Sequence, residues 1–346
     1  MEEFFHNLSQ LNFQCQYPLL RYCGLPRWTH VTRCHSATVT TSANEYVDQL
    51  ARNCIGRLLG CDTGAMSQLF SNPLFAADLF ASVPFVDLAP MAYRASYDGV
   101  FNLAQARSQK DFIEEHLTSL RAGMLSSSTA AIHSVHMAYF LDKGSRLWME
   151  CRPNRAEYFM RQVYFQMALR ARYLLAPSNE PLTTCVCGHQ SPSSSFVVHG
   201  LDCNRVRGYT WATRHALVKR VFKYVLRQYG FNLDETEPRF FENGPAPDVC
   251  FALGASLALV DVAVTNPLAD SYADAESREP GFALRRTEED KKKRYGSKSS
   301  VRDMQFFPLV LSTFGTLGVD SLTFLRKVAT FTSDAPGFIC GTCAWL

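Results

Sequence analysis

No apolar run in this sequence reaches the roughly 18 to 20 residues that a bilayer-spanning helix requires, so no such span is expected. The start, Met1-Glu2-Glu3, lacks the basic head and apolar core of a secretory signal, and a reducing compartment is the expectation. Charge of one sign is also scarce, with a formal net charge of +3 over 346 residues. A strongly basic nucleic-acid binder is excluded at the level of the whole chain, and any such affinity must come from local patches. Internal repeats are missing. What is present is a globular balance of 47% hydrophobic and 19% charged residues, enough for two or three modest domains. Cys15, Cys23, Cys34, Cys54, Cys61, Cys151 and Cys250 are scattered and read as buried small hydrophobes or metal ligands rather than disulfides.

Local patterns divide the chain. Residues 1–176 read as mainly helical. Gln14-Cys15-Gln16-Tyr17-Pro18 and Pro26-Arg27 look like loops, and the Ser/Thr run from Ser36 to Ser42 leads into a helix near Ala43 to Leu59. Cys23, His30, Cys34 and His35 fit no tight metal-ligand spacing. Phe112, Ile113, His116, Leu117 and Leu120 form one helical stripe. A further helix is expected from Asn154 to Leu175, with Asn154 and Glu157 as a capping box. Its apolar side would carry Phe159, Val163, Met167 and Leu174. Arg161, Arg170 and Arg172 would form a basic side, open equally to solvent or a nucleic acid. The run Pro177-Ser178-Asn179-Glu180-Pro181 marks a boundary.

Beyond it, Thr213 to Tyr229 predicts a helix that Gly230 ends. Strands follow at Val249–Leu253 and Leu257–Val264, with a turn at Gly254 to Ser256 and a stop at Asn266-Pro267. Ala269 to Gly281 reads as an exposed acidic loop. Arg285 to Tyr295 reads as a helix, Met304 to Thr313 as a strand and Val319 to Val328 as a final helix. That order is a mixed α/β layer domain.

Two groups of residues carry chemistry. Cys185, Cys187, His199 and Cys203 offer four ligands suited to closed, tetrahedral zinc in a segment too poor in apolar residues to fold alone. The bland alternative is a polar linker with cysteines. His189 follows Cys187 too closely to be a natural ligand, and His215 is a candidate alternative or neighbouring group. The second group is Asp248, at the head of one strand, and Asp261, inside the next. A hairpin would bring these acids together, and a buried carboxylate pair calls for a hard divalent cation such as Mg2+ or Mn2+. Lys291 is the first choice for an amine that reaches the same site. Lys292 and Lys293 point about 100° and 200° further round the helix. The alternative is a solvated helix held by Glu288–Lys292 and Glu289–Lys293 pairs.

In their joint order these motifs resemble the C-terminal region of non-LTR retrotransposon proteins that carry a restriction-like endonuclease. The knuckle residues Cys185, Cys187, His199 and Cys203 come first, then Arg214-His215 opening a helix and Glu237-Pro238. Pro247-Asp248, Asp261, and Lys291 with Arg294-Tyr295 follow. Phe306-Phe307-Pro308-Leu309-Val310 through Thr313-Phe314-Gly315 closes the set.

The resemblance spans about Asn154 to Ala329 and implies a restriction-endonuclease-like fold of the PD-(D/E)xK type. It implies a linker over 154–176, a zinc knuckle over 177–210, an endonuclease domain over 211–330 and a tail over 331–346. It further implies metal-dependent nicking of DNA that leaves a 3′ hydroxyl, with Asp248 and Asp261 on Mg2+ or Mn2+ and Lys291 assisting. Glu237 would be an additional acid. DNA and element RNA are the implied partners, and the nucleus the implied location.

The departures are the absence of a polymerase core and a long acidic stretch between Asp261 and Lys291. A nucleic-acid-binding module without catalysis, an inert element fragment and a helical protein-binding chain are therefore the competing readings. Cys340-Gly341-Thr342-Cys343 reads as a loose tail.

Overall fold

The computed structural model describes residues 1–61, 111, 115, 118–119, 135–136, 138–140, 142, 144–151, 153, 159–175, 182–233, 246–299 and 304–331. The stripe of Phe112, Ile113, His116, Leu117 and Leu120, the caps Asn154 and Glu157, the acid Glu237 and the Cys340/Cys343 pair lie outside these residues. The chain forms two compact units: Met1–Ala130 with Arg152–Pro181, and Ala131–Cys151 with Leu182–Leu346. Among the described residues, no helix is long and apolar enough to cross a membrane.

The described elements of the first unit are all helices. It contains α1 (Glu2–Ser9), α2 (Phe13–Leu19), α3 (Leu25–Cys34), α4 (Ala37–Leu59) and α5 (Gln162–Arg172). The loops expected at Pro18 and Pro26 are helix. Pro26 sits in the first turn of α3, where the missing N–H has no helical acceptor to lose. Pro18 falls near the end of α2, and the chain passes directly into a π turn, Leu20–Gly24. Nor is the Ser/Thr run a loop, since α4 already begins at Ala37. Thr40 and Thr41 bond back to carbonyls one turn earlier, and Asn44 accepts from Trp28 Nε1 at 2.8 Å.

Helix α5 differs from its expected form in both start and facing. It begins at Gln162, and Phe165 and Leu169 are its buried apolar residues, while Phe159, Val163 and Met167 are exposed. Of the expected basic side Arg161 is exposed, whereas Arg170 and Arg172 are buried. Arg170 Nη1 donates to the carbonyls of Leu59 (2.8 Å) and Gly60 (3.2 Å). It thereby satisfies acceptors that the C-terminus of α4 leaves without helical partners.

The second unit opens with a small antiparallel ribbon, β1 (Leu182–Thr184) against β2 (Gln190–Pro192). Two helices follow, α6 (Ser193–Asp202) and α7 (Asn204–Gln228). Helix α7 begins at Asn204, well before the Thr213 that the sequence pattern indicates. It ends as expected, with Gly230 at φ +82° and Phe231 N–H donating to Leu226 O.

The main sheet has the order β3-β4-β5. Strand β3 (Val249–Leu253) runs antiparallel to β4 (Ser256–Thr265), and β5 (Met304–Ser312) runs parallel to β4. Gly254, at φ +65°, makes the β3–β4 turn, a conformation that glycine adopts at least cost. The long β4–β5 crossover carries α8 (Asp270–Arg278) and α9 (Phe282–Ser299), and α10 (Val319–Thr330) follows β5.

Strand alternation sorts the sheet into two faces. Val249, Phe251, Ala258, Val260, Val262, Leu309 and Leu311 form one core with Val218, Phe222 and Leu226 of α7 and Phe324, Leu325 and Val328 of α10. The other face meets α9: Thr265 bonds Thr287, Asp261 pairs with Lys291, and Phe306 stacks on Tyr295. The result is a three-layer α/β/α arrangement around a small mixed sheet.

Ser321 covers part of the outer edge of β5, its Oγ accepting from Val310 N–H at 2.8 Å and lying 3.2 Å from Pro308 O, and Gly318 N–H also donates to Val310 O. The expected acidic loop at Ala269 to Gly281 is instead helix α8. Its Glu276 is fully buried, accepting from Tyr139 Oη at 2.8 Å and from the Gly281 and Ala283 amides.

Candidate functional site

Residue register brings the two aspartates together. Val249 pairs with Val260, so one step further along the antiparallel ladder sets Asp248 beside Asp261. Strand alternation turns Asp261 to the α9 face, opposite to the core residues Val260 and Val262. Each aspartate is only 6% exposed, and the charge of Asp248 acts on Asp261. Two like charges this close repel strongly unless cations or a shared proton intervene.

The surroundings supply several partners. Asp248 Oδ2 accepts from the Val262 amide at 2.8 Å and faces His215 Nε2 at 3.0 Å, while Oδ1 lies 3.5 Å from Lys219 Nζ. Lys291 pairs with Asp261. These partners divide the pair electrostatically. Burial by itself would raise Asp248, but the His215 contact and the Val262 amide outweigh it and hold the carboxyl below its ordinary value. Burial raises Asp261 above its ordinary value and the charge of Asp248 adds to it, with Lys291 opposing. A proton entering the pair therefore favours Asp261. The bond to Asp248 raises His215 against an opposing effect of burial.

Of the three lysines, Lys291 faces the aspartates. Lys292 pairs with Asp320 at the start of α10, and Lys293 lies on the exposed side. The hydroxyl of Tyr295, one turn beyond Lys291, donates to Ala246 O at 3.0 Å, just before the Pro247-Asp248 pair. Ala263, two residues beyond Asp261 and on the same face of β4, brings no functional group of its own. Asp248 and Asp261 are the two acids here that could share a divalent cation, and the cationic groups His215, Lys219 and Lys291 already face their oxygens.

Some roles were hidden in the sequence. Glu288 is not the solvated partner of Lys292. It is 2% exposed and accepts from both the amide (3.0 Å) and hydroxyl (2.9 Å) of Ser321. This carboxylate caps the start of α10 from another helix, and Gly318 has no room for a side chain beside it. His215 belongs to Asp248 rather than to the cysteine cluster. Lys219 carried no local sign beyond its position one turn after His215.

The second cluster is separate. Cys185, Cys187, His199 and Cys203 place their ligand atoms within 4.8 Å of one another. Cys185 and Cys187 bracket the β1–β2 turn, where Cys185 N–H donates to His189 O and Gly188 N–H to Cys185 O, each at 2.8 Å. Helix α6 brings His199, and Cys203 stands at the start of α7.

Two thiolates about 2.3 Å from a tetrahedral zinc stand roughly 3.8 Å apart. The Cys185–Cys203 sulfur separation is 3.6 Å, and Cys187 Sγ lies 3.3 Å from His199 Nε2. The sulfurs are too far apart for a disulfide, and the set could hold a metal ion such as zinc. His189 stays outside the set: its ring stacks on that of His199 at 4.3 Å, and its amide donates to Cys187 Sγ.

No protein-family model matches this chain, and no curated protein matches it.

Proposed function

We propose that the second unit carries a divalent-metal-dependent DNA endonuclease centre of the restriction-like type, derived from a non-LTR retrotransposon and acting in the nucleus. A structural zinc ion would be held by Cys185, Cys187, His199 and Cys203. The observation that carries this reading is the meeting of Asp248 and Asp261, buried side by side on adjacent strands, with Lys291 on the same pair. The resemblance described above supplies the substrate class, with element RNA as a further partner.

In this reading Asp248 and Asp261 would hold magnesium or manganese, which when bound would supply positive charge and lower the pKa of a water. Asp248, held below its ordinary value by His215 and the Val262 amide, would be the stronger anionic ligand. Lys291 donates to a non-bridging phosphate oxygen and offsets the charge that develops there. Water oxygen bonds to phosphorus and the bond from phosphorus to the 3′ oxygen breaks. The water loses its proton and the leaving oxygen gains one, which yields a 3′ hydroxyl and a 5′ phosphate. Tyr295 stays neutral, since burial and the nearby Asp261 charge push its hydroxyl upward.

A second reading is a nucleic-acid-binding module without catalysis. It is favoured by the engagement of both Asp248 oxygens, one by His215 and the Val262 amide and the other by Lys219.

Nicking of supercoiled plasmid with Mg2+ or Mn2+ separates the two. Wild type is expected to nick, and Asp248→Ala and Asp261→Ala to abolish it. Lys291→Met should slow cutting by about 100-fold or more, and Lys292→Met and Lys293→Met should stay near wild type. Wild-type protein that binds DNA without cutting, or aspartate variants that cut normally, would overturn the endonuclease reading.

A further inference from the structure

We infer that Lys219 is an internal competitor for the divalent cation: its ammonium occupies the Asp248 oxygen that the metal ion would take, and the site loads only as Lys219 moves off. This rests on the endonuclease reading, which supplies the cation.

The chain already balances its own acid pair. Two carboxylates meet two ammonium groups, Lys219 on Asp248 and Lys291 on Asp261, so the formal charges cancel before His215 is counted. Buried carboxylates side by side need such compensation to stay ionised. A divalent cation added to that set would face two ammonium groups at close range and away from bulk water, where like charges repel strongly. One of the internal cations has to give way.

Geometry selects Lys219. The two oxygens of Asp248 are used differently. Oδ2 is held by the Val262 amide at 2.8 Å and by His215 Nε2 at 3.0 Å, both ordinary hydrogen-bond distances. Oδ1 faces Lys219 Nζ at 3.5 Å, beyond that range, so charge rather than a tight bond holds the amine there. Lys291 meets Asp261 from the other layer, on α9, and is the amine assigned to the phosphate.

The exposure of the two partners also differs. The Lys219 side chain is 23% exposed and that of Asp248 only 8%, so the amine has a path toward solvent that the carboxylate lacks. Val218 and Phe222 of the same helix lie in the core and hold α7 in place. The movement is therefore one of the flexible four-carbon stem, and it frees Oδ1 without disturbing the bonds on Oδ2. In the metal-free protein the contact keeps two buried acids from repelling each other. Loading of the site becomes an exchange of one cation for another.

Manganese binding followed by electron paramagnetic resonance tests the exchange. Lys219→Met removes the competing charge and is expected to bind Mn2+ about tenfold or more tightly than wild type. Lys219→Arg keeps the charge and should bind no more tightly than wild type. Circular dichroism checks that each variant is folded. A second measurement needs no substitution: reductive methylation of wild-type lysines, read by mass spectrometry, should modify Lys219 several-fold faster with Mg2+ than with a chelator. Lys292, which pairs with Asp320, should not change.

A folded Lys219→Met variant that binds manganese no better than wild type, or Lys219 labelling that ignores magnesium, would overturn the inference and leave the endonuclease reading in place. Wild type and Lys219→Met that both bind no manganese would defeat the two together. Tighter binding by the variant, in a protein that never nicks, would uphold the exchange and defeat the endonuclease reading.

Discussion

Replacing Glu288 tests how α9, α10 and the edge of β5 are joined. Glu288→Ala removes a carboxylate that accepts two bonds from Ser321. Losing a helix cap costs about 1 kcal/mol, and leaving buried donors unpaired adds about 1 to 3 kcal/mol. The expected loss is therefore about 2 to 4 kcal/mol, read as a shift in urea unfolding followed by circular dichroism. Glu288→Gln keeps an acceptor oxygen and removes a buried charge, so it should stay within about 1 kcal/mol of wild type at neutral pH.

The pH dependence has a definite sign. Burial, partly opposed by the Ser321 bonds, raises Glu288 above its ordinary value. The folded protein thus binds this proton more tightly than the unfolded chain does. That contribution to stability is fully present below the unfolded pKa and is lost as pH rises through the raised folded value. Wild type should gain on Glu288→Gln as the pH falls from 7 toward 4.5. An alanine variant within about 0.5 kcal/mol of wild type would refute the capping role, and a gap that moves the other way would refute the electrostatic argument.

The remaining expectations concern the cysteine cluster and α5. Zinc content should be near one ion per chain by elemental analysis and fall when Cys185 and Cys203 are changed to serine; a folded wild type without metal would contradict this. Arg170→Ala should destabilise the first unit by about 1.5 to 3 kcal/mol, because it strands the Leu59 and Gly60 carbonyls. It should leave DNA affinity unchanged, and a variant with normal stability and weaker binding would restore Arg170 to a surface role.

What could be read from the sequence was what depends on local period and turn chemistry. Alternating branched residues on either side of Gly254 specified the β3–β4 hairpin, and with it the meeting of Asp248 and Asp261. Helical angle said that only one of Lys291, Lys292 and Lys293 would face the acids, and the packing of α9 on the sheet made it Lys291. Features set by distant partners were not readable. Glu276 looked like an exposed acid because its three donors come from Tyr139, Gly281 and Ala283. Glu288 looked like half of a surface pair because Ser321, 33 residues away, is absent from any local window. In α5, Val163 and Met167 have helical spacing as good as that of Phe165 and Leu169. Only packing against α2 and α4 decides which pair is buried.

Manganese titration of the zinc-loaded protein, followed by electron paramagnetic resonance, tests the acid pair most directly. The account predicts one bound Mn2+ per chain in the wild type and none at the same concentrations in Asp248→Asn/Asp261→Asn. Equal binding by both proteins, or a folded wild type that binds no manganese even with DNA present, would contradict it.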